Sequence, residues 1–151
     1  MKSIDVLRQT RNNIRRATEN LSLDALNTIP PGFNNNILWN IGHVVVTQQA
    51  LMYRPCGMPM HVKDEIFESF RKGSEATSYN QETLDYIWDH FDSLVDQLDS
   101  DYTGKRFGEY KPYQTSYGLA LNNLEDAMVF NNAHEALHLG YIMAQKRALN
   151  A

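Results

Sequence analysis

The stretch from Ile37 to Leu51 is apolar on nearly every side, with Ile37, Leu38, Trp39, Ile41, Val44, Val45, Val46 and Leu51 leaving no continuous polar face. A helix built this way cannot lie on a surface and has to be enclosed by other elements. The polar residues it does carry fall in one line. Asn36, Asn40, His43 and Thr47 are spaced by four, three and four, so they stack along one side of a helix that is otherwise core.

The rest of the chain supplies the enclosing helices. Ser3 reads as an N-cap, and Ile4, Leu7, Ile14, Ala17 and Leu21 recur at helical spacing through about residue 20. Ser22 opens a short helical piece with Leu23 and Leu26, which Pro30, Pro31 and Gly32 stop. Asn34, Asn35 and Asn36 offer caps for the apolar helix, which Pro55 and Gly57 end after about Tyr53. Residues 54–79 form a long connection, with a short helical turn expected from Asp64 to Phe70. Asn80 caps a third main helix whose stripe runs from Leu84 and Ile87 to Leu98. Residues 99–117 form a second long connection, with a short β-ribbon expected from Glu109 to Thr115, and the last helix is predicted from about Leu119 to Leu149. The expected fold is therefore all-α: one domain over residues 1–151, a four-helix bundle with two long connections.

On the last helix Asn131, His134, His138 and Tyr141 form a second polar stripe. Two polar stripes facing each other inside a bundle would be unfavourable, because each unpartnered buried polar group costs about 1–3 kcal/mol. An ion with bound water would satisfy them. His134 and His138, at i and i+4, can reach one ion with both rings, and His43 from the facing helix would complete a three-histidine site with open positions. Gly42 and Gly140 flank the site, and the expectation is that they let the second and last main helices approach closely. Three imidazoles suit zinc, nickel, copper or iron. His61 and His90 read as ordinary solvent-side histidines, and the single cysteine, Cys56, as an inert loop thiol.

His134-Glu135-Ala136-Leu137-His138 also matches the zincin pattern, in which the glutamate activates water for peptide hydrolysis. Downstream of His138 the chain carries no His, Asp or Glu, so a third ligand has to come from upstream, and no sheet is evident to align a peptide. Glu135 stands as the candidate catalytic base. Asn40, Asn131 and Tyr141 stand as candidates for orienting the ligands or touching a substrate.

Charge narrows the partners. The net charge is −4, with no block of lysine or arginine, which argues against nucleic acid; Arg8, Arg11, Arg15 and Arg16 read as a solvated face of the first helix. No segment is long and apolar enough for a membrane span, Met1 to Asp5 lacks the apolar core of a signal peptide, and one cysteine fits a reducing compartment, so a cytoplasmic location is expected.

The ordered combination of Trp39-Asn40-Ile41-Gly42-His43 with a late His134-Glu135-Ala136-Leu137-His138-Leu139-Gly140 resembles the DinB-like (DinB/YfiT) superfamily of four-helix bundles over nearly the whole chain. The resemblance implies that His43, His134 and His138 ligate one divalent metal ion per chain, often zinc or nickel, and that the protein is a homodimer. It also implies an activity among thiol S-transferases using a low-molecular-weight thiol, an isomerase, or metal-dependent hydrolases acting on a small molecule. The competing expectation is a metal-binding or stress-response interaction module without turnover.

Overall fold

The computed structural model describes residues 2–150. Four long helices carry the architecture: α1 (Lys2–Thr18), α3 (Ile37–Met52), α5 (Gln81–Thr103) and α6 (Leu124–Ala148). Two short helices, α2 (Leu23–Asn27) and α4 (Asp64–Phe70), lie in the connections, as does a single 3-10 turn at Arg54–Cys56. The long helices pack in the cyclic order α1, α6, α3, α5 and back to α1, so α1 and α3 are diagonal to each other. α3 also receives α2, α4 and the 3-10 turn on its remaining sides. That enclosure is why α3 can be apolar all round: Ile37, Leu38, Ile41, Val44, Val45 and Val46 are all fully buried.

The helix starts follow side-chain caps. Ser22, Asn36, Asn80 and Asn123 each accept a bond from a backbone N–H three residues on, satisfying a donor that the helix leaves unpaired. Ser3, expected as a cap, lies inside α1, which already includes Lys2. α5 runs to Thr103, beyond its apolar stripe. Its last turn is anchored by the buried carboxylate of Asp101, which accepts bonds from Tyr53, Gln97 and Arg106, and Gly104 with left-handed Lys105 ends it. Burial alone would push the Asp101 carboxyl up, but those bonds and the Arg106 charge outweigh it and hold it below the usual carboxylate range.

The short ribbon forms differently from expectation. Strand β1 (Tyr113–Gln114) pairs antiparallel with β2 (Ala120–Leu121), with Tyr113 opposite Leu121 and Gln114 opposite Ala120. Residues 119–123, expected to begin the last helix, therefore close a hairpin. Thr115 holds its turn by bonding both the carbonyl and the N–H of Leu119, and Gly118 supplies the left-handed φ of 91°. No helix of the described residues is long and apolar enough to cross a membrane.

Candidate metal centre

α3 presents His43 and α6 presents His134 and His138 toward the same point, and one ring nitrogen from each lies within 4.8 Å of the other two. The ring centroids are 5.1 Å apart for His43 and His134, 4.8 Å for His43 and His138, and 4.5 Å for His134 and His138. His43 is buried and stacks face to face on Trp39 at 4.6 Å; the indole N–H in turn donates to Ser74 Oγ at 2.9 Å.

Two of the three rings have a fixed proton. His43 Nδ1 lies 2.7 Å from the Phe70 carbonyl oxygen, which only accepts, so Nδ1 carries the proton and Nε2 keeps its lone pair. This carbonyl belongs to the last residue of α4, where a helix leaves its C=O groups unpaired. His138 Nδ1 lies 2.7 Å from Asn40 Oδ1. The Asn40 amide cannot be turned the other way round, because its nitrogen is held against the Asn36 carbonyl at 2.9 Å and Gln145 Oε1 at 3.0 Å. His138 therefore also presents an unprotonated Nε2.

His138 Nε2 stands 3.2 Å from His134 Nε2, while Nδ1 of His134 is buried without a partner. Two nitrogens bound at about 2.0–2.1 Å on neighbouring tetrahedral positions would be about 3.3 Å apart, so the spacing of these two suits a shared ion. Neutral imidazole is what a metal requires, and burial enforces it. Burial lowers the His43 pKa, with the Lys72 charge adding to it, and lowers His134 to about 3 and His138 to about 2, with repulsion from the neighbouring rings contributing. The donor set, the fixed tautomers and the low proton affinity all fit a divalent ion held by nitrogen.

Gly42 has a packing role, but with α4 rather than α6. A Cβ there would overlap the Phe70 ring, so the glycine lets α4 lie against α3 and deliver the Phe70 carbonyl to His43. Nothing stands within 4 Å of a Cβ built on Gly140, which is exposed; its expected part in helix approach is overturned.

Glu135 is placed differently from a catalytic base. It is fully buried and receives Arg11 Nε at 3.0 Å on one oxygen, and Arg11 Nη2 at 2.9 Å with Asn131 Nδ2 at 3.0 Å on the other. Its carboxylate is thus committed to a charge pair with α1, which removes the water-activating role the zincin pattern assigns it. With two-residue strands as the only sheet among the described residues, no edge is long enough to align a peptide either. Asn131 serves Glu135 rather than the histidines. Tyr141 is about half exposed and packs edge-on against Phe33, so it does not cap the site.

The first-helix arginines are likewise no plain solvated face. Arg11 is fully buried, while Arg8 pairs with Asp96 and Asp99 of α5 and Arg15 with Asp92. The signal for Arg11 was present: it lies on the stripe of Ile4, Leu7 and Ile14, four after Leu7 and three before Ile14. Gln145 was also missed. It is seven residues after His138, on the same side of α6, and ties Asn40 to Asn35. His61 is half-exposed, edge-on to Tyr53 and 3.9 Å from the Asp101 carboxylate; His90 bonds the Tyr86 carbonyl. Burial pushes the partly buried Cys56 thiol up, away from reactivity.

His43 and His134 line a cavity of about 700 Å³. Thr47 lines it beside them, Leu51, Phe67 and Phe130 give it apolar walls, and Thr115 and Ser116 of the hairpin turn also line it. Thr47 Oγ1 is 3.3 Å from His43 Nε2, a hydroxyl beside the lone pair that faces the cavity. A family model for the DinB superfamily matches residues 7–142 of the chain. No curated protein matches it.

Proposed function

Since this chain belongs to the DinB superfamily, we propose that it is a metal-dependent enzyme, a thiol S-transferase or hydrolase, whose three-histidine centre holds one divalent ion, zinc or nickel. The observation that carries this reading is the convergence of His43, His134 and His138, two of them with fixed tautomers, beside a cavity of molecular size that His43 and His134 line. Such an ion, when bound, acidifies a coordinated thiol or water so that a nucleophile is available near neutral pH.

The chain's own residues do the rest. His43, His134 and His138 hold the ion; Phe70 and Asn40 keep two of the rings turned with Nε2 inward; Leu51, Phe67 and Phe130 exclude water from one side of the substrate. Thr47 is placed to bond a group arriving at the histidines. The interaction-module alternative is less well supported, because neither Tyr141 nor Glu135 closes the site and the cavity stays open to a small molecule. The reading carries a low-molecular-weight thiol as partner, a homodimeric state and a cytoplasmic setting.

Elemental analysis of protein purified without a metal-affinity tag tests the centre. The expected result is close to one metal ion per chain in the wild type and loss of it in His43→Ala and in His134→Ala. A wild type that is metal-free and cannot be loaded sinks the reading. Where the ion is retained, thiol-transfer and ester- or amide-hydrolysis screens follow.

The Asn40 bond gives a second prediction. Asn40→Ala frees the His138 ring, and metal affinity is expected to fall about 10–100-fold, as when an orienting partner of a ligand is removed. Competition with a coloured chelator measures it. An affinity equal to wild type would show that the Asn40 bond does not set the ligand's orientation.

A further inference from the structure

The cavity above the histidines has a charge opposite to that of the protein. The chain as a whole carries −4, yet Arg54, Arg71, Lys72 and Lys111 all line the cavity, and Glu68 is the single carboxylate among its lining residues. Glu68 is already taken by Arg71, at 2.5 Å. Arg54, Lys72 and Lys111 have no carboxylate within ion-pair distance among the described residues.

These three cations come from different parts of the chain, and local structure holds the head group of one and the backbone of another. The Arg54 guanidinium lies 4.0 Å over the Phe67 ring, a cation–π contact that fixes the head group against the cavity wall. Lys111 is tied to the 3-10 turn that carries Arg54, because its backbone N–H donates to the Pro55 carbonyl at 2.9 Å. Lys72 lies two residues past the Phe70 carbonyl that orients His43, and its charge is near enough to be felt by that ring. The cavity that His43 and His134 line is therefore also lined by positive charge.

Both halves of the lining restrict the ligand. Arg54, Lys72 and Lys111 are exposed, and a cationic molecule would be repelled by them while a neutral one would gain nothing from their charge. A bare inorganic anion would leave the partly buried Phe130 ring against water, since Leu51 and Phe67 are already buried. The volume of about 700 Å³ is that of a small-molecule site, for which about 300–1,000 Å³ is usual.

We propose that the substrate is a small organic anion carrying two or more negative charges, held by Arg54, Lys72 and Lys111 while its reacting end reaches His43 and His134. This deepens the enzyme reading above and rests on it for the word substrate; the anion site itself is assigned from the lining alone. Carboxylate and phosphoryl groups share the chemistry, since both accept bonds from guanidinium and ammonium.

The test is calorimetric titration of the full-length protein after its metal has been removed with a chelator and the chelator dialysed away. Benzene-1,3,5-tricarboxylate and phenyl phosphate are the anionic probes, and benzene-1,3,5-tricarboxamide is the neutral match. At least one anionic probe is expected to bind, with the tricarboxamide at least about tenfold weaker, and Lys72→Ser/Lys111→Ser is expected to weaken the anion by about tenfold or more while leaving the amide unchanged. Binding of phenyl phosphate alone supports the assignment with a phosphoryl group as the anion. Equal binding of tricarboxylate and tricarboxamide, unchanged anion affinity in the double variant, or no binding of either anion overturns it. Because the titration contains no metal, its failure leaves the metal centre standing, and the elemental analysis of the histidine variants judges that centre separately.

Discussion

Glu135→Leu is expected to destabilise the fold by about 3–5 kcal/mol, the usual consequence of leaving one member of a buried ion pair without its partner. Arg11 and Glu135 are both fully buried, and two guanidinium nitrogens meet two carboxylate oxygens at 3.0 and 2.9 Å. Removing the carboxylate leaves a buried cation without its partner. Arg11→Met/Glu135→Leu is expected to recover most of the loss, because an apolar pair of similar volume no longer has to be desolvated. Urea denaturation at pH 7.5 measures all three proteins. A Glu135→Leu variant within about 1 kcal/mol of wild type would show that Arg11 finds other acceptors, the Phe91 and Val44 carbonyls being the candidates it already touches.

The metal-free protein is expected to lose stability steeply as pH falls from 6.5 to 5. Burial lowers the pKa of His43 and takes His134 to about 3 and His138 to about 2, whereas an unfolded histidine titrates at about 6.5. Above about pH 6.5 both states hold these rings neutral and they add no pH dependence. Below it the unfolded chain takes up protons that the folded chain refuses, so stability is present above the unfolded value and is lost as pH falls toward the folded ones. The upper limit is about 2 kcal/mol per buried histidine between pH 6.5 and 5. Denaturation midpoints of the metal-free protein at pH 7.5, 6 and 5 check the slope, and His134→Asn/His138→Asn should flatten it. A midpoint that does not move over this interval would mean the rings are already hydrated and protonated in the folded state.

The four long helices were legible because their apolar periodicity is strong, and α3 announced its central place by being apolar on nearly every side. The three histidines were legible for the converse reason, as polar residues in register on helices that needed to be buried. What escaped the sequence are features set by one contact between distant elements. Arg11 has a charge, and charge alone suggests water; only Glu135, from α6, makes its burial tolerable. The zincin reading of Glu135 failed through that same pair. Gly42 pointed to a close approach, but a helix glycine does not say to which neighbour, and the answer was the Phe70 ring of a seven-residue helix. Residues 119–121 carry helical formers and still join a hairpin, since Asn123 caps the helix only from Leu124 onward.

The unpaired cations around the cavity also bear on kinetics. A charge pattern at a mouth steers whatever approaches it, and the sign of the force depends on the visitor. Arg54, Lys72 and Lys111 draw an anion inward, so added salt slows its capture; a divalent cation taking the same route is repelled, so added salt speeds its arrival. One lining therefore gives anions and cations opposite ionic-strength dependences.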